Sequence, residues 1–395
     1  MSKGKKASKH LLIALASSGA AVGSTSVQAQ NVTIYGIMDT AVEYVNRMPA
    51  DTGTASRWGM TRIGGMAPSR WGIRVNDDLG SGWQSTIWLE SGFAPDNGEL
   101  APAANGAYFQ RQASMGIRHA DYGSFTMGRL YTTFFDSVIN FAPMRMATTY
   151  EPISMIGGAF TRENNALKYT LDRGNWHYGM HYSFGTGIPL LAGMPSAVAG
   201  GEIPGDSRAQ TAYGVSGFYM KNGTGFGMGY DQLNMALTAH SDKGYEKKFY
   251  VAGSYAHGKM RHFAGYRWLN ARFPNGQTAN RNDFFWWGTT YQASDQLALT
   301  GALYYMNPKK ASLTTSDAVT KPKNAQQLSF LADYALSKRT DLYATVSWTR
   351  NAALNFDSTI HSGNIYGYSD PATVSGLRDG QKNMVGFAMG MRIVF

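Results

Sequence analysis

The sequence predicts an all-β fold, a transmembrane antiparallel β-barrel of about sixteen strands, and three observations carry that expectation. Period-two runs of about ten residues recur along the chain, the length at which a tilted strand crosses a bilayer. The connectors between them alternate between tight turns and long polar loops. Composition then removes the competitors: of 395 residues none is Cys, 13% are aromatic and only 16% are charged, against about 25% charged in ordinary soluble domains. Without cysteine there is no thiolate metal site, thiol nucleophile or disulfide framework. No window offers the roughly 20 apolar residues of a membrane-spanning helix, so a helical membrane protein is excluded.

Residues 1–29 read as a cleaved export signal, with basic MSKGKKASKH, apolar LLIALASSGAAVG and a small-residue cleavage site at Val27-Gln28-Ala29. The segment carries Lys3, Lys5, Lys6 and Lys9 and no acid, so the net charge of +10 becomes +6 over residues 30–395, from 32 basic and 26 acidic residues. An exported chain has no nucleic acid among its expected partners. Residues 30–395 read as one barrel domain without an interdomain linker.

Along that domain the runs follow one another. In 176–184, Trp176, Tyr178, Met180, Tyr182 and Phe184 alternate with His177, Gly179, His181 and Ser183. In 225–231, Phe226, Met228 and Tyr230 alternate with glycines, which puts the glycines on the lumen face. Runs at 246–257 and 296–306 behave alike, as do Leu328, Phe330, Ala332, Tyr334 and Leu336, then Leu342, Ala344, Val346 and Trp348, and finally 384–395. Tight turns are expected at 79–82, 120–123, 221–224 and 337–340, and long loops at 94–107, 132–161, 186–209, 271–281, 307–324 and 353–381. Lipid-facing positions must be apolar, with aromatic girdles at strand ends. Trp71, Trp83, Tyr131, Tyr182, Trp268, Trp286, Tyr305 and Trp348 are the girdle candidates. A soluble β-sandwich also alternates, yet it would carry an aliphatic core and split so many strands into two sheets.

Several stretches, taken in order, resemble the general trimeric porin family of Gram-negative outer membranes. Val32-Thr33-Ile34-Tyr35-Gly36 is similar to that family's first strand, and Ser69-Arg70-Trp71-Gly72-Ile73-Arg74 with Asn76-Asp77-Asp78-Leu79-Gly80 to its second strand and first turn. Leu89-Glu90-Ser91-Gly92-Phe93, Arg111 to Ile117 and Asp121 to Tyr131 match the strands that follow. The tail Met389-Gly390-Met391-Arg392-Ile393-Val394-Phe395 resembles the signal read by the barrel-assembly machinery, with Phe395 as its key residue. The resemblance implies a homotrimer in outer-membrane lipid and lipopolysaccharide, one water-filled channel per barrel, and a third long loop folded inward as a constriction, here about 132–161.

The resemblance also implies a ladder of arginines facing that loop, and by motif Arg70, Arg111 and Arg162 occupy it. Alternation supports part of this independently. Trp71, Ile73 and Val75 point one way, so Arg70 and Arg74, about 13 Å apart, point into the lumen. Leu167, Tyr169 and Leu171 point out, so Arg162 and Lys168 point in. Arg111 falls in register with Ala113, Met115 and Ile117, which requires either a bulge or a strand at the subunit contact. Arg129, in register with Phe125 and Met127, is expected at a neighbouring subunit. The loop contributes Asp136, Arg145 and Glu151, few carboxylates for a cation-preferring pore.

The expected function is therefore passive diffusion of small hydrophilic solutes and ions, with anions preferred. A substrate-specific porin for anionic metabolites is the alternative within transport, and a structural or adhesin barrel with a plugged lumen the alternative outside it. An enzyme is not expected, nor is a cofactor. His177 and His181 have the four-residue zinc spacing of a helix, but on a strand they lie about 13 Å apart and cannot share one ion. Gly223 to Gly229 imitates a phosphate loop but lacks the helix that should follow.

Overall fold

The computed structural model describes residues 31–50, 52–101, 107–158, 161–187, 201–236, 242–312, 314–354 and 381–395. The expected signal, 1–29, lies outside the described residues, as do much of 353–381 and parts of four other long connectors. Seventeen strands form one antiparallel sheet. They are β1 (Asn31–Pro49), β2 (Thr54–Met60), β3 (Arg70–Gly80), β4 (Trp83–Gly92), β5 (Gln112–His119), β6 (Gly123–Tyr131), β7 (Arg162–Arg173), β8 (Trp176–Ser183) and β9 (Ala212–Lys221). The second half comprises β10 (Thr224–Ala236), β11 (Lys243–His257), β12 (Met260–Arg272), β13 (Thr278–Gln292), β14 (Leu297–Ala311), β15 (Ala325–Ala335), β16 (Thr340–Arg350) and β17 (Asn383–Val394).

Successive strands pair from β3 to β17, and β17 returns to β1, Ile37 facing Val394 and Val45 facing Gly386, which closes the ring. β3 pairs with the first half of β1 and β2 with the second half, so seventeen strands fill sixteen positions. Asp39 fixes the break between them. Its carboxylate accepts the amide N–H groups of Gly65, Met66 and Ala67 at 2.7–2.9 Å and the Tyr343 hydroxyl at 2.5 Å. Closure matters because a bilayer offers no partner for an open strand edge.

The pleat sorts the two faces. Ile34, Val42, Met115, Met180, Val215, Met228, Trp287, Leu303, Phe330 and Met389 form an exposed apolar exterior. Trp83 stacks on Tyr122 at 5.8 Å and Trp176 on Tyr178 at 5.9 Å beside the short turns, where an interfacial girdle belongs. Two expected girdle residues lie elsewhere. Trp286 is buried on the lumen face and donates Nε1–H to Phe141 O at 2.9 Å, while Trp287 takes the exterior position. An offset of one residue inverts the face, and sequence alternation alone does not choose between adjacent tryptophans. Tyr131 likewise turns inward, its hydroxyl accepting from Arg111. The β9–β10 hairpin turns on Asn222-Gly223, both at positive φ (50° and 80°), the pair that a two-residue hairpin demands.

The described residues of the third long connector, 132–158 and 161, pack against the lumen face. Thr132 caps the short helix α1 (Thr133–Val138) by accepting the Phe135 N–H, a 3-10 turn follows at Ile139–Phe141, and α2 spans Ile153–Gly157. The loop then follows the inner wall strand by strand. Ser216 on β9 donates to Thr133 O at 2.6 Å, Tyr250 on β11 bonds Ser137, and Trp286 on β13 reaches Phe141. Tyr304 on β14 meets Glu151 at 2.9 Å, and Gln327 and Ser329 on β15 donate to Tyr150 O at 2.6 and 2.9 Å. Glycines supply the room: a Cβ on Gly179, Gly227, Gly288 or Gly386 would come within 2.9, 2.7, 2.4 and 2.2 Å of Thr133, Phe141, Pro143 and Tyr150.

Candidate functional site

Glu90 organises the wall beside the root of the loop, where Tyr131 and Arg162 flank it. It sits on β4 between Leu89 and Ser91, opposite Gly72 of β3 and Gln112 of β5, and glycine at 72 leaves room for the Tyr35 ring, whose hydroxyl a Cβ there would meet at 2.6 Å. Its carboxylate meets Arg111 Nε at 2.7 Å and Arg70 Nε at 3.4 Å, and accepts the Tyr35 hydroxyl at 2.8 Å. Arg111 also donates to the Tyr131 hydroxyl at 3.0 Å, and Arg162 reaches the same hydroxyl with its guanidinium 4.0 Å above the ring. Arg74 stands between Tyr35 and Trp88, 4.5 and 4.2 Å from their ring centres. It is exposed and makes no ion pair among the described residues. Aromatic faces hold a guanidinium without neutralising it.

Two of these arginines reach the cluster through irregular backbone. Arg111 donates its N–H to Glu90 O, the residue that Gln112 already opposes, so two residues face one and alternation ends there. That is how Arg111, in phase with outward Ala113, presents its head to lumen-facing Glu90. On β7 the register slips between the Gly128 and Leu130 pairings, with Asn165 at φ 49°. Lys168 stays in the regular lumen phase. Arg162, beyond the slip, reaches the cluster by stacking on Tyr131, not by sharing the phase of Lys168.

The loop side is less acidic than its sequence. Lys168 Nζ pairs with Asp136 at 2.8 Å and donates to Tyr131 O at 3.1 Å, tying the loop's first turn to the wall. Glu151 does not face the lumen. It is wholly buried and accepts the N–H groups of Met144 (2.9 Å) and Met146 (2.5 Å) together with the Tyr304 hydroxyl. Burial pushes its carboxyl up to about 7 despite those donors. Arg145 is exposed, 3.9 Å from Asp333, and shares with Lys259, Arg261, Phe263 and Gln292 a cavity of 230 Å³. Arg129, half-buried, donates to Gln110 O at 2.6 Å and Asn164 Oδ1 at 2.5 Å within its own chain. Phe395 exchanges both backbone hydrogen bonds with Gly36 at 3.0 Å.

Sequence reading missed Glu90, Tyr35, Trp88 and Tyr131 as members of the site. Glu90 was within reach, since Ile87 and Leu89 fix its phase and an acid on a lumen face opposite Arg70's strand has to find a cation. His177 and His181 have separate partners, Asp172 at 2.6 Å and Thr133 respectively. Arg70, Arg111 and Arg162 thus gather about the Glu90 carboxylate and the Tyr131 hydroxyl, Arg74 stands beside them between two rings, and Lys168 pairs with Asp136 at the root of the loop.

Known proteins share this architecture. An outer membrane porin of Bordetella pertussis (strain Tohama I) is 34% identical over 181 residues, 42% of this chain and 44% of that protein. Outer membrane porin protein 32 of Delftia acidovorans is 36% identical over 118 residues, 30% of each chain. The matched segments thus span less than half the length of either relative. The solved structure of an anion-selective porin from Comamonas acidovorans shares the fold, with a TM-score of 0.71 at 19% identity over 93% of this chain and 100% of that one. The family model for Gram-negative porins matches residues 11–354, and with that match over most of its length the chain belongs to the Gram-negative porin family of the outer membrane.

Proposed function

We propose that the chain is a passive diffusion channel for small hydrophilic solutes and ions, with anions preferred at the level where loop 132–161 faces the arginine cluster. One observation carries the preference: Arg70 and Arg111 share the single carboxylate of Glu90, Arg74 beside them makes no ion pair among the described residues, and the loop's Glu151 is turned into its own amides. Low-dielectric walls focus such a surplus onto passing ions. The solved porin of Comamonas acidovorans, described as anion-selective, has the same fold, which supports the reading. Transport of this kind has no energy source and no covalent step. The same reading takes 1–29 as the cleaved signal, a homotrimer in lipid and lipopolysaccharide as the working assembly with Arg129 flanking the subunit contact, and Phe395 as the residue offered to the assembly machinery. Arg74 between Tyr35 and Trp88 favours a second reading, a porin selective for anionic metabolites, because planar acids stack where a guanidinium is backed by rings.

Planar-bilayer recording under a salt gradient tests this. Stepwise conductance with a reversal potential on the anion side is expected. Replacing Arg70 and Arg162 together by Ser should move that potential toward cation preference while the barrel stays folded. An unchanged potential removes the arginines from the account, and no steps at all points to a plugged barrel with a structural or adhesive role.

A further inference from the structure

Glu163 on β7, His181 on β8 and Asp231 on β10 form a buried group that conduction does not use. Register brings them together. His181 and Asp231 both oppose Gly214 of β9, and a Cβ on that glycine would lie 2.5 Å from His181 Cε1. The glycine lets the imidazole lean across β9 toward Asp231. Glu163 arrives from the other side because the slip in β7 turns it inward. His181 Nε2 lies 3.3 Å from Glu163 Oε2 and 4.0 Å from Asp231 Oδ1, with the three side chains 0%, 3% and 3% exposed. One donor atom from each lies within 4.8 Å of the other two.

These atoms are costly as they stand. His181 Nε2, Glu163 Oε2 and Asp231 Oδ2 are buried and make no hydrogen bond of good geometry, their contacts being the ion pairs of His181 with Glu163 and of Lys248 with Asp231, and two carboxylates share the one pocket. A separation of about 3.3 Å is also the edge between two ligands of a tetrahedral ion held at 2.0–2.1 Å. Behind the ring, His181 Nδ1 is 2.9 Å from Thr133 Oγ1 and 3.2 Å from Thr133 N, so the imidazole already touches the first residue of α1. A metal-bound imidazole needs such an outer partner for its other nitrogen. Lys248 Nζ lies 3.4 Å from Asp231 Oδ2, on the far oxygen, and its charge opposes a cation.

We propose that Glu163, His181 and Asp231 bind one divalent transition-metal ion, with Zn²⁺ suited to one imidazole and two carboxylates. On binding, the imidazole proton moves from Nε2 to Nδ1, so that Nε2 takes the metal and Nδ1–H donates to the Thr133 hydroxyl, replacing the bond that Nδ1 accepts from Thr133 N–H. The ion fastens the root of loop 132–161 to the wall. Neither statement depends on which solutes the channel passes.

The test is calorimetric titration of the detergent-solubilised full chain with Zn²⁺ after stripping by a chelator. One ion per chain is expected, with Glu163→Gln and Asp231→Asn each weakening binding at least about tenfold. Lys248→Met should tighten it by relieving the opposing charge. No uptake by the wild type, or uptake unchanged in the doubly substituted chain, overturns the site. Heat-modifiable migration checks folding of each variant. If the variants do not fold, X-ray absorption at the zinc edge of the wild type decides: one nitrogen with oxygen ligands supports the site, and several imidazoles overturn it. Zn²⁺ should also quiet open-channel current fluctuations in the wild type, and unchanged fluctuations overturn the fastening role.

Discussion

Arg70 and Arg111 converge on Glu90 at 3.4 and 2.7 Å, and Arg111 is only 5% exposed, so the carboxylate makes two close guanidiniums tolerable. Glu90→Gln should strengthen anion preference in a salt-gradient recording while lowering stability by about 3 kcal/mol in urea unfolding, because a buried pair has lost one member. Stronger cation preference would mean that the carboxylate does not govern these arginines. Glu151 gives the loop a pH dependence. Its buried carboxyl titrates at about 7 in the folded chain, against the ordinary value of 4.5. An acid raised by folding holds its proton more tightly when folded, so its contribution is complete below the ordinary value and is lost as pH climbs through about 7. Open-channel noise should therefore grow as pH rises from 4.5 to about 7 and level off above it, and Glu151→Gln should flatten the profile. A profile that survives the substitution assigns the titration to another group.

Loop 132–161 holds its course because the strands beneath it are notched. At Gly288 a Cβ would stand 2.4 Å from Pro143 Cβ, an atom of a rigid ring, whereas at Gly301, on the outer face, it would find Phe330 at an ordinary 3.5 Å. Gly288→Ala should push the loop off the wall and lower single-channel conductance, and Gly301→Ala should leave it unchanged. Equal conductance in both would mean that the loop yields without narrowing the passage. Strand alternation was legible in the sequence, as the lumen glycines beside Phe226 and Met228 demonstrate. Arg70 and Arg74 were legible for the same reason, since nothing interrupts β3. At Arg111 the broken pattern already required a bulge or a subunit contact; what escaped were the added residue that resets the phase near Asn165 and the 61–69 break, which is held by Asp39. Those features are decided by partners distant in sequence, so a local pattern carries no trace of them. Glu151 escaped similarly: its charge is visible in the sequence, but its burial beneath Tyr304 is not.

At the scale of the whole barrel the decisive pairing is the seam between β1 and β17, whose partners are separated by nearly the full described chain. Such non-local closure comes late, after neighbouring hairpins have formed. Phe395 secures the seam twice, through its backbone bonds with Gly36 and through its ring, which lies where a Cβ on Gly36 would sit, 2.2 Å from Cζ. Phe395→Ala keeps the backbone bonds and removes the ring, whereas Gly36→Val keeps the ring and removes its seat. If the ring acts only by packing at the seam, both variants should slow refolding into pure lipid vesicles and lower the folded fraction in cells to a similar degree. If Phe395 is also the group offered to the assembly machinery, Phe395→Ala should fail far more severely in cells than in vesicles, and Gly36→Val should be impaired alike in both. The second pattern is the expected one, read as the heat-modifiable fraction in outer membranes against that in vesicles. Matching losses for the two variants would confine Phe395 to the chemistry of the seam.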